Sequence, residues 1–241
     1  MNIMGKKRRW FDLIVVLVIG MLASFGLFAY SAITTHSLQY AYLILNLGLA
    51  TIPLILSWRL IVLLRKKRWS DWEPLITTFV WIIFLPNSFY MISDFIHLQN
   101  MSNQSIVYNS VMFSSFIYLA VLMGLISLYQ VHQLLRKRVY PRTASILVVL
   151  LLIGCCFAIY LGRDLRWNSW DVVVNPAGLL FDISNLILKP ETYPVMIKTM
   201  VSFFVVIGST YLIACQIAKM LWHQGVNDLA AHIKDQQAQR K

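Results

Sequence analysis

The chain has 241 residues, 59% of them hydrophobic and only 13% charged, with a mean hydropathy of +0.66. Soluble domains carry about 25% charged residues, so a water-soluble globule is excluded and a membrane-embedded chain is indicated. The formal charge of +11 would suggest nucleic acid in a soluble protein. Here the basic residues form short clusters beside apolar runs, which argues against that partner and turns their placement into a topology signal.

In chain order, Lys6-Lys7-Arg8-Arg9 precedes an apolar run from Phe11 to Ile33. That run is roughly 23 residues, beyond the h-region of about 7–15 in a signal peptide, so it is read as an uncleaved first span, Phe11–Thr34. Five more apolar stretches follow at Tyr40–Leu64, Leu75–Phe95, Tyr108–Leu135, Thr143–Leu161 and Val195–Leu221. Each can cross about 30 Å of hydrocarbon as a helix. Lipid cannot satisfy free backbone groups, and the period-two alternation of a membrane barrel is absent. The expected fold class is therefore all-α: a polytopic bundle of six transmembrane helices plus one interfacial helix on the outer face. Residues 1–226 are expected to form the six-span domain and 227–241 a cytoplasmic polar tail, a short exposed helix or disordered.

Charge fixes the expected orientation. With both termini in the cytoplasm, all but four of the 21 Lys and Arg residues fall on the inner side. The four exceptions are Arg163, Arg166, Lys189 and Lys198, while the acidic residues divide evenly between the two sides. This bias alternates with every loop, as the positive-inside rule requires.

Packing and loop signals are local. Gly20-x-x-x-Ser24 and Ala120-x-x-x-Gly124 put small residues one turn apart, which lets helices approach closely without assigning an oligomer. Pro53 is expected to kink the second span. Cys155, Cys156 and Cys215 all lie in apolar runs, which argues against disulfides and a cysteine-based zinc site. The outer loop, 162–194, contains Asn175-Pro176, a cap followed by a first-turn proline, and this predicts a helix over 176–188. Leu179, Leu180, Ile183, Leu186 and Ile187 share its apolar side, opposite Asp182, Asn185 and Lys189. It is read either as lying on the membrane surface or as packed on the bundle.

Two segments break the apolar pattern. The first, Leu85-Pro86-Asn87 through His97, ends the third span. At helical spacing Asn87, Tyr90, Asp94 and His97 fall within an arc of about 80°, and Pro86 opens the backbone just below them. No charged residue occupies mid-membrane; Asn46 and Asn87 lie in the outer parts of their spans and each needs a partner. The second segment, Tyr160 through Asp171, leaves the fifth span with Arg163, Asp164, Arg166, Trp167, Asn168, Trp170 and Asp171. Trp167 and Trp170 suit the headgroup region, and Asn168 with Asp171 fits a helix cap with an acidic residue in its first turn.

Leu85-Pro86-Asn87 with Tyr90, Asp94 and His97, then Gly162-Arg163 and Arg166 through Asp171, resemble the two hallmark stretches of a bacterial membrane-protein family, domain of unknown function 1361. The resemblance runs from the second span to the sixth. Asp164 departs from it, standing where an apolar or aromatic residue is expected. The resemblance implies a multi-helix protein of the bacterial cytoplasmic membrane and no activity.

Three functional readings follow. In a structural one, Arg163 or Arg166 pairs with Asp94 and staples the outer loop to the third span. In a binding one, Asn87, Tyr90, Arg163, Arg166, Trp167, Asn168, Trp170 and Asp171 hold a lipid headgroup or a partner membrane protein at the outer leaflet. In the enzymatic alternative, Asp94 and His97 are catalytic in an outer-face hydrolase or transferase acting on a lipid or lipid-linked substrate. His97 would be the general base, or Asp94, His97 and Asp171 would hold a divalent metal. The arginines would then clamp an anion. Motifs such as Gly-x-Ser-x-Gly or His-Glu-x-x-His are absent.

Overall fold

The computed structural model describes residues 3–100 and 106–238. Their order is α1 (Ile3–Thr35), α2 (Tyr42–Leu63), α3 (Trp72–Tyr90), a 3₁₀ segment (Met91–Asn100), α4 (Ile106–Arg136), α5 (Pro141–Asp164), α6 (Asp171–Val174), α7 (Pro176–Leu188), a second 3₁₀ turn (Pro190–Thr192) and α8 (Tyr193–Ala238). No strand occurs among the described residues. Six helical stretches are long and apolar enough to cross a membrane: Phe11–Thr35, Tyr42–Leu63, Trp72–Leu98, Ile106–Arg136, Pro141–Asp164 and Pro190–Leu221. By helix composition the chain is an integral multi-pass membrane protein.

The most buried helix is α4, which packs against α1, α2, α3, α5 and α8. One core cluster joins α1, α2 and α4 through Leu17, Phe28, Leu43, Leu47, Phe113 and Phe116. A second joins α3, α4, α5 and α8 through Trp81, Phe89, Leu128, Ile159 and Tyr211. Since lipid is as apolar as leucine, helices associate through close packing and hydrogen bonds between them. The small residues provide that approach. A Cβ on Gly124 would lie 2.6 Å from the Cβ of Ser88 on α3, and one on Gly20 would meet Leu119 at 2.8 Å. Buried serines add polar ties: Trp81 donates to Ser127 Oγ (2.7 Å), which donates to the Pro53 carbonyl (2.8 Å), and Ser88 donates to the Ala50 carbonyl (3.1 Å). These bonds lock α2, α3 and α4 together around Pro53.

The bundle has two chemically distinct ends. At one, the loops after α2 and α4 meet, with Arg138 donating to the Leu64 carbonyl at 3.5 Å. We call this the basic end. The α3 terminus and the loop after α5 meet at the other. Between them α3 packs against both α2 and α5, while α2 and α5 do not pack closely on each other. This leaves a trough along α3.

In the segment 227–241, residues 227–238 continue α8 as helix, while 239–241 and the side chains of the whole tail lie outside the described residues. The side chains of Lys6, Lys7, Arg8, Arg9 and Ile187 lie outside them as well.

Candidate functional site

Pro86 lies inside α3 and lines the trough, and the α-helix runs on past it to Tyr90. There the chain tightens into ten residues of 3₁₀ helix, Met91–Asn100. Such runs rarely exceed three or four residues and often mark strain or function. The change of pitch revises the expected stripe. In a 3₁₀ helix residues three apart eclipse, so Asp94 and His97 stack one above the other, and Tyr90 is rotated away from Asp94. All four polar residues, Asn87, Tyr90, Asp94 and His97, still line one cavity.

The loop after α5 closes over that cavity. Its path is set by Arg166, which adopts φ 59° in the left-handed region, while the Trp167 amide bonds back to the Leu161 carbonyl at 3.2 Å. Gly162 makes the reversal possible: a Cβ there would lie 3.1 Å from the Tyr90 ring and 3.2 Å from the Trp167 carbonyl oxygen. The loop is then pinned on both sides. Ser169 Oγ takes a hydrogen bond from Asn87 Nδ2 at 2.8 Å, and Trp167 Nε1 donates to Asp182 on α7 at 2.9 Å. The Asp171 carboxylate, at the start of α6, accepts from the Asn168 amide at 2.6 Å. Asn168 itself does not cap α6. Asn175 caps α7, accepting from the Gly178 amide at 3.1 Å.

The two polar segments therefore meet in space, though the pairing differs from the expected staple. Asp94 is buried (4% exposed) and accepts from Asn46 Nδ2 of α2 at 3.2 Å. No ion pair to Asp94 forms among the described residues. Arg163 donates instead to the Ser93 carbonyl at 3.3 Å, and Arg166 is exposed. Neither arginine lines the cavity, nor does Asp171. Among the described residues no group of three His, Cys, Asp or Glu is gathered closely enough to hold a metal ion, so Asp94, His97 and Asp171 do not converge as a ligand set.

The cavity has a volume of about 890 Å³. At the motif end it is lined by Asn87, Tyr90, Asp94, His97, Trp167, Asn168 and Trp170, joined by Tyr42, Asn46 and Ser169. Its length is walled by Leu45 and Leu49 of α2, Ile82 and Ile83 of α3, and Leu147, Leu150, Leu151 and Gly154 of α5. From Leu147 to Gly162 the wall rises about 22 Å at 1.5 Å per residue. The far end is closed by Trp69, whose indole nitrogen donates to Thr78 at 2.9 Å. No Lys or Arg lines it among the described residues.

Tyr42 is the residue that sequence reasoning missed most clearly. Its ring lies 5.3 Å from that of His97 at a tilt of 58°, and its hydroxyl is buried without a hydrogen-bond partner among the described residues. The available signal was Asn46, one helical turn further along α2 on the same face.

A family model described as Protein of unknown function (DUF1361) matches residues 45–208. The chain belongs to the DUF1361 family. The matched segment contains all ten candidate site residues together with Asn46 and Ser169, and Tyr42 lies just before it. No curated protein and no solved structure is similar enough to this chain to match it.

Against this geometry α7 takes a mixed position. Leu186 is buried, and Leu179 and Ile183 pack with it against Tyr160 and Leu161 of α5. Leu180 and Phe181, at 64% and 66% exposure, face outward. The helix is thus docked on the bundle along one edge and offers apolar residues along another.

Proposed function

We propose that this DUF1361 protein binds a membrane amphiphile in the trough between α2 and α5, with the polar headgroup at the motif end and the chain along the apolar wall. One observation carries the reading: a single cavity, walled over about 22 Å, is polar and hydrogen-bonding at one end and mainly apolar along the rest. That is the shape and polarity of a lipid rather than of a soluble metabolite. The unpartnered Tyr42 hydroxyl supports it, because a buried polar group without a partner costs about 1–3 kcal/mol and a ligand would satisfy it. The lining groups also favour a headgroup class. Asp94 and His97 supply its carboxylate and imidazole, with Asn46, Asn87, Asn168 and the rings of Tyr42, Tyr90, Trp167 and Trp170 around them. A hydroxyl-rich or cationic headgroup fits this lining better than a bare anion, whose arginine clamp would have to come from Arg163 and Arg166 outside the cavity. A partner membrane protein reaching the same end with a polar side chain is the other form of a binding role.

The orientation proposed from the alternating basic loops puts the motif end outside a bacterial cytoplasmic membrane and the basic end in the cytoplasm. The headgroup would then belong to the outer leaflet. The enzymatic reading is favoured by one feature, the stacking of buried Asp94 beneath exposed His97 at the mouth of the trough, where both can face one reacting atom.

The test is lipid analysis of the purified protein by mass spectrometry, comparing the native sequence with Gly154→Phe. Gly154 lines the trough, and a Cβ there meets nothing within 4 Å, so a side chain can start into the open space and take up part of the trough. The native protein is expected to retain one lipid class above its abundance in the membrane, and the variant to lose it. Equal lipid profiles in both would sink the proposal.

A further inference from the structure

A second cavity, of about 1130 Å³, opens at the basic end between α4, α5 and α8. We infer that it seats one anionic phospholipid, distinct from the amphiphile of the motif end. Its mouth gathers Arg136 and Lys137 from the end of α4 with Lys219 and His223 from α8, and no Asp or Glu lines it among the described residues. Four basic side chains from two helices converge where α4 ends, which is charge complementarity for a phosphate.

Beyond the mouth the walls become apolar. Val148, Val149 and Leu152 of α5 face Phe204, Val205 and Leu212 of α8. Gly208 keeps this part open, since the nearest atom to a Cβ built there is a Phe204 ring carbon at 4.0 Å. Val149, Val205 and Leu212 are 44%, 60% and 66% exposed, so the channel is open along its side to surrounding lipid. An acyl chain can enter laterally while its headgroup stays at the mouth.

A further polar group points to a ligand. His132 lines the cavity, its Nδ1 lies 2.7 Å from the Tyr211 hydroxyl, and its Nε2 is buried without a partner among the described residues. In the tautomer in which Tyr211 donates to Nδ1, Nε2 carries the ring proton and is a donor for a phosphate or glycerol oxygen. A zwitterionic lipid offers the same phosphate but brings a cation that Arg136, Lys137 and Lys219 repel. The site therefore selects net negative headgroups.

Native mass spectrometry of the full chain in detergent tests this, titrated separately with dioleoyl phosphatidylglycerol, dioleoyl phosphatidylcholine and glycerol 3-phosphate. The expected result is one phosphatidylglycerol bound about tenfold or more tightly than phosphatidylcholine, with glycerol 3-phosphate too weak to detect. Arg136→Gln with Lys219→Gln should reduce that preference by about 10- to 30-fold. The control pair Lys66→Gln with Arg68→Gln removes the same charge from exposed positions outside the cavity and should leave the preference within about twofold. Gly208→Leu keeps every charge, fills the apolar part and should also lose the bound lipid. Equal binding of the two lipids, an equal loss in the control pair, or full binding by Gly208→Leu would each overturn the inference. None of these outcomes bears on the motif-end trough, whose own test uses Gly154→Phe.

Discussion

Asp94 is a carboxylate buried where α2, α3 and α4 meet, and Asn46 is the side chain that donates to it at 3.2 Å. A buried acceptor is costly to strand, whereas replacing both members of a pair by apolar groups can be nearly neutral. Asn46→Leu is accordingly expected to lower stability by about 1.5–3 kcal/mol, the range for a hydrogen bond to a charged group. Asn46→Leu combined with Asp94→Leu should recover much of that loss. His97 is exposed at the trough mouth, and water can replace its ring, so His97→Ala should change stability by no more than about 0.5 kcal/mol. Detergent melting curves of the four proteins check this ranking. A double variant no more stable than Asn46→Leu alone would remove the Asn46–Asp94 pair from the account, and a large loss in His97→Ala would make that residue structural rather than part of a site. His97→Ala also separates the two functional readings. If it melts normally, keeps its retained lipid and yet fails to complement a strain lacking the protein, the enzymatic reading gains over simple binding.

At the scale of elements, the six spans were legible because bilayer thickness imposes length and lipid imposes backbone closure. Each observed span begins and ends within a few residues of the apolar run that announced it. The start of α7 was equally readable, since the Asn175 cap and Pro176 are local chemistry. Pitch was not readable. The segment after Tyr90 has a composition that an α-helix would accept, and only the tertiary setting winds Met91–Asn100 into a 3₁₀ helix. Partner choice was hidden for a related reason. The sequence offered arginines as counter-ions for Asp94, but Arg166 turns out through a left-handed backbone to an exposed position, and Arg163 donates to the neighbouring Ser93 carbonyl, near Asp94 without forming an ion pair with it. Charge complementarity can be read from composition, whereas backbone direction at a helix end cannot. The stripe Asn87, Tyr90, Asp94 and His97 was correctly singled out as polar, yet Tyr42 and Ser169, which share its cavity, look like ordinary interface residues in isolation.

The whole molecule combines a tightly packed centre around α4 with two lateral openings, the trough on α3 at the motif end and the basic cavity beside α8. The proposed orientation rests on charge. Single cysteines placed at 36 and 175, in a background lacking Cys155, Cys156 and Cys215, should react with an impermeant maleimide on intact cells. Cysteines at 67 and 139 should react only after the membrane is opened. Reaction of position 139 on intact cells would reverse or break the proposed topology. The central claim is that the α2–α5 trough holds an amphiphile, and its most direct measurement is a cryo-electron microscopy map of the chain in lipid nanodiscs with a bound fiducial. The account expects elongated density between α2 and α5, with its polar end within hydrogen-bond reach of the Tyr42 hydroxyl, about 3.5 Å or less. A map in which α2 and α5 close on each other, or in which the trough holds only disordered annular lipid and Tyr42 bonds to a protein group, would contradict it.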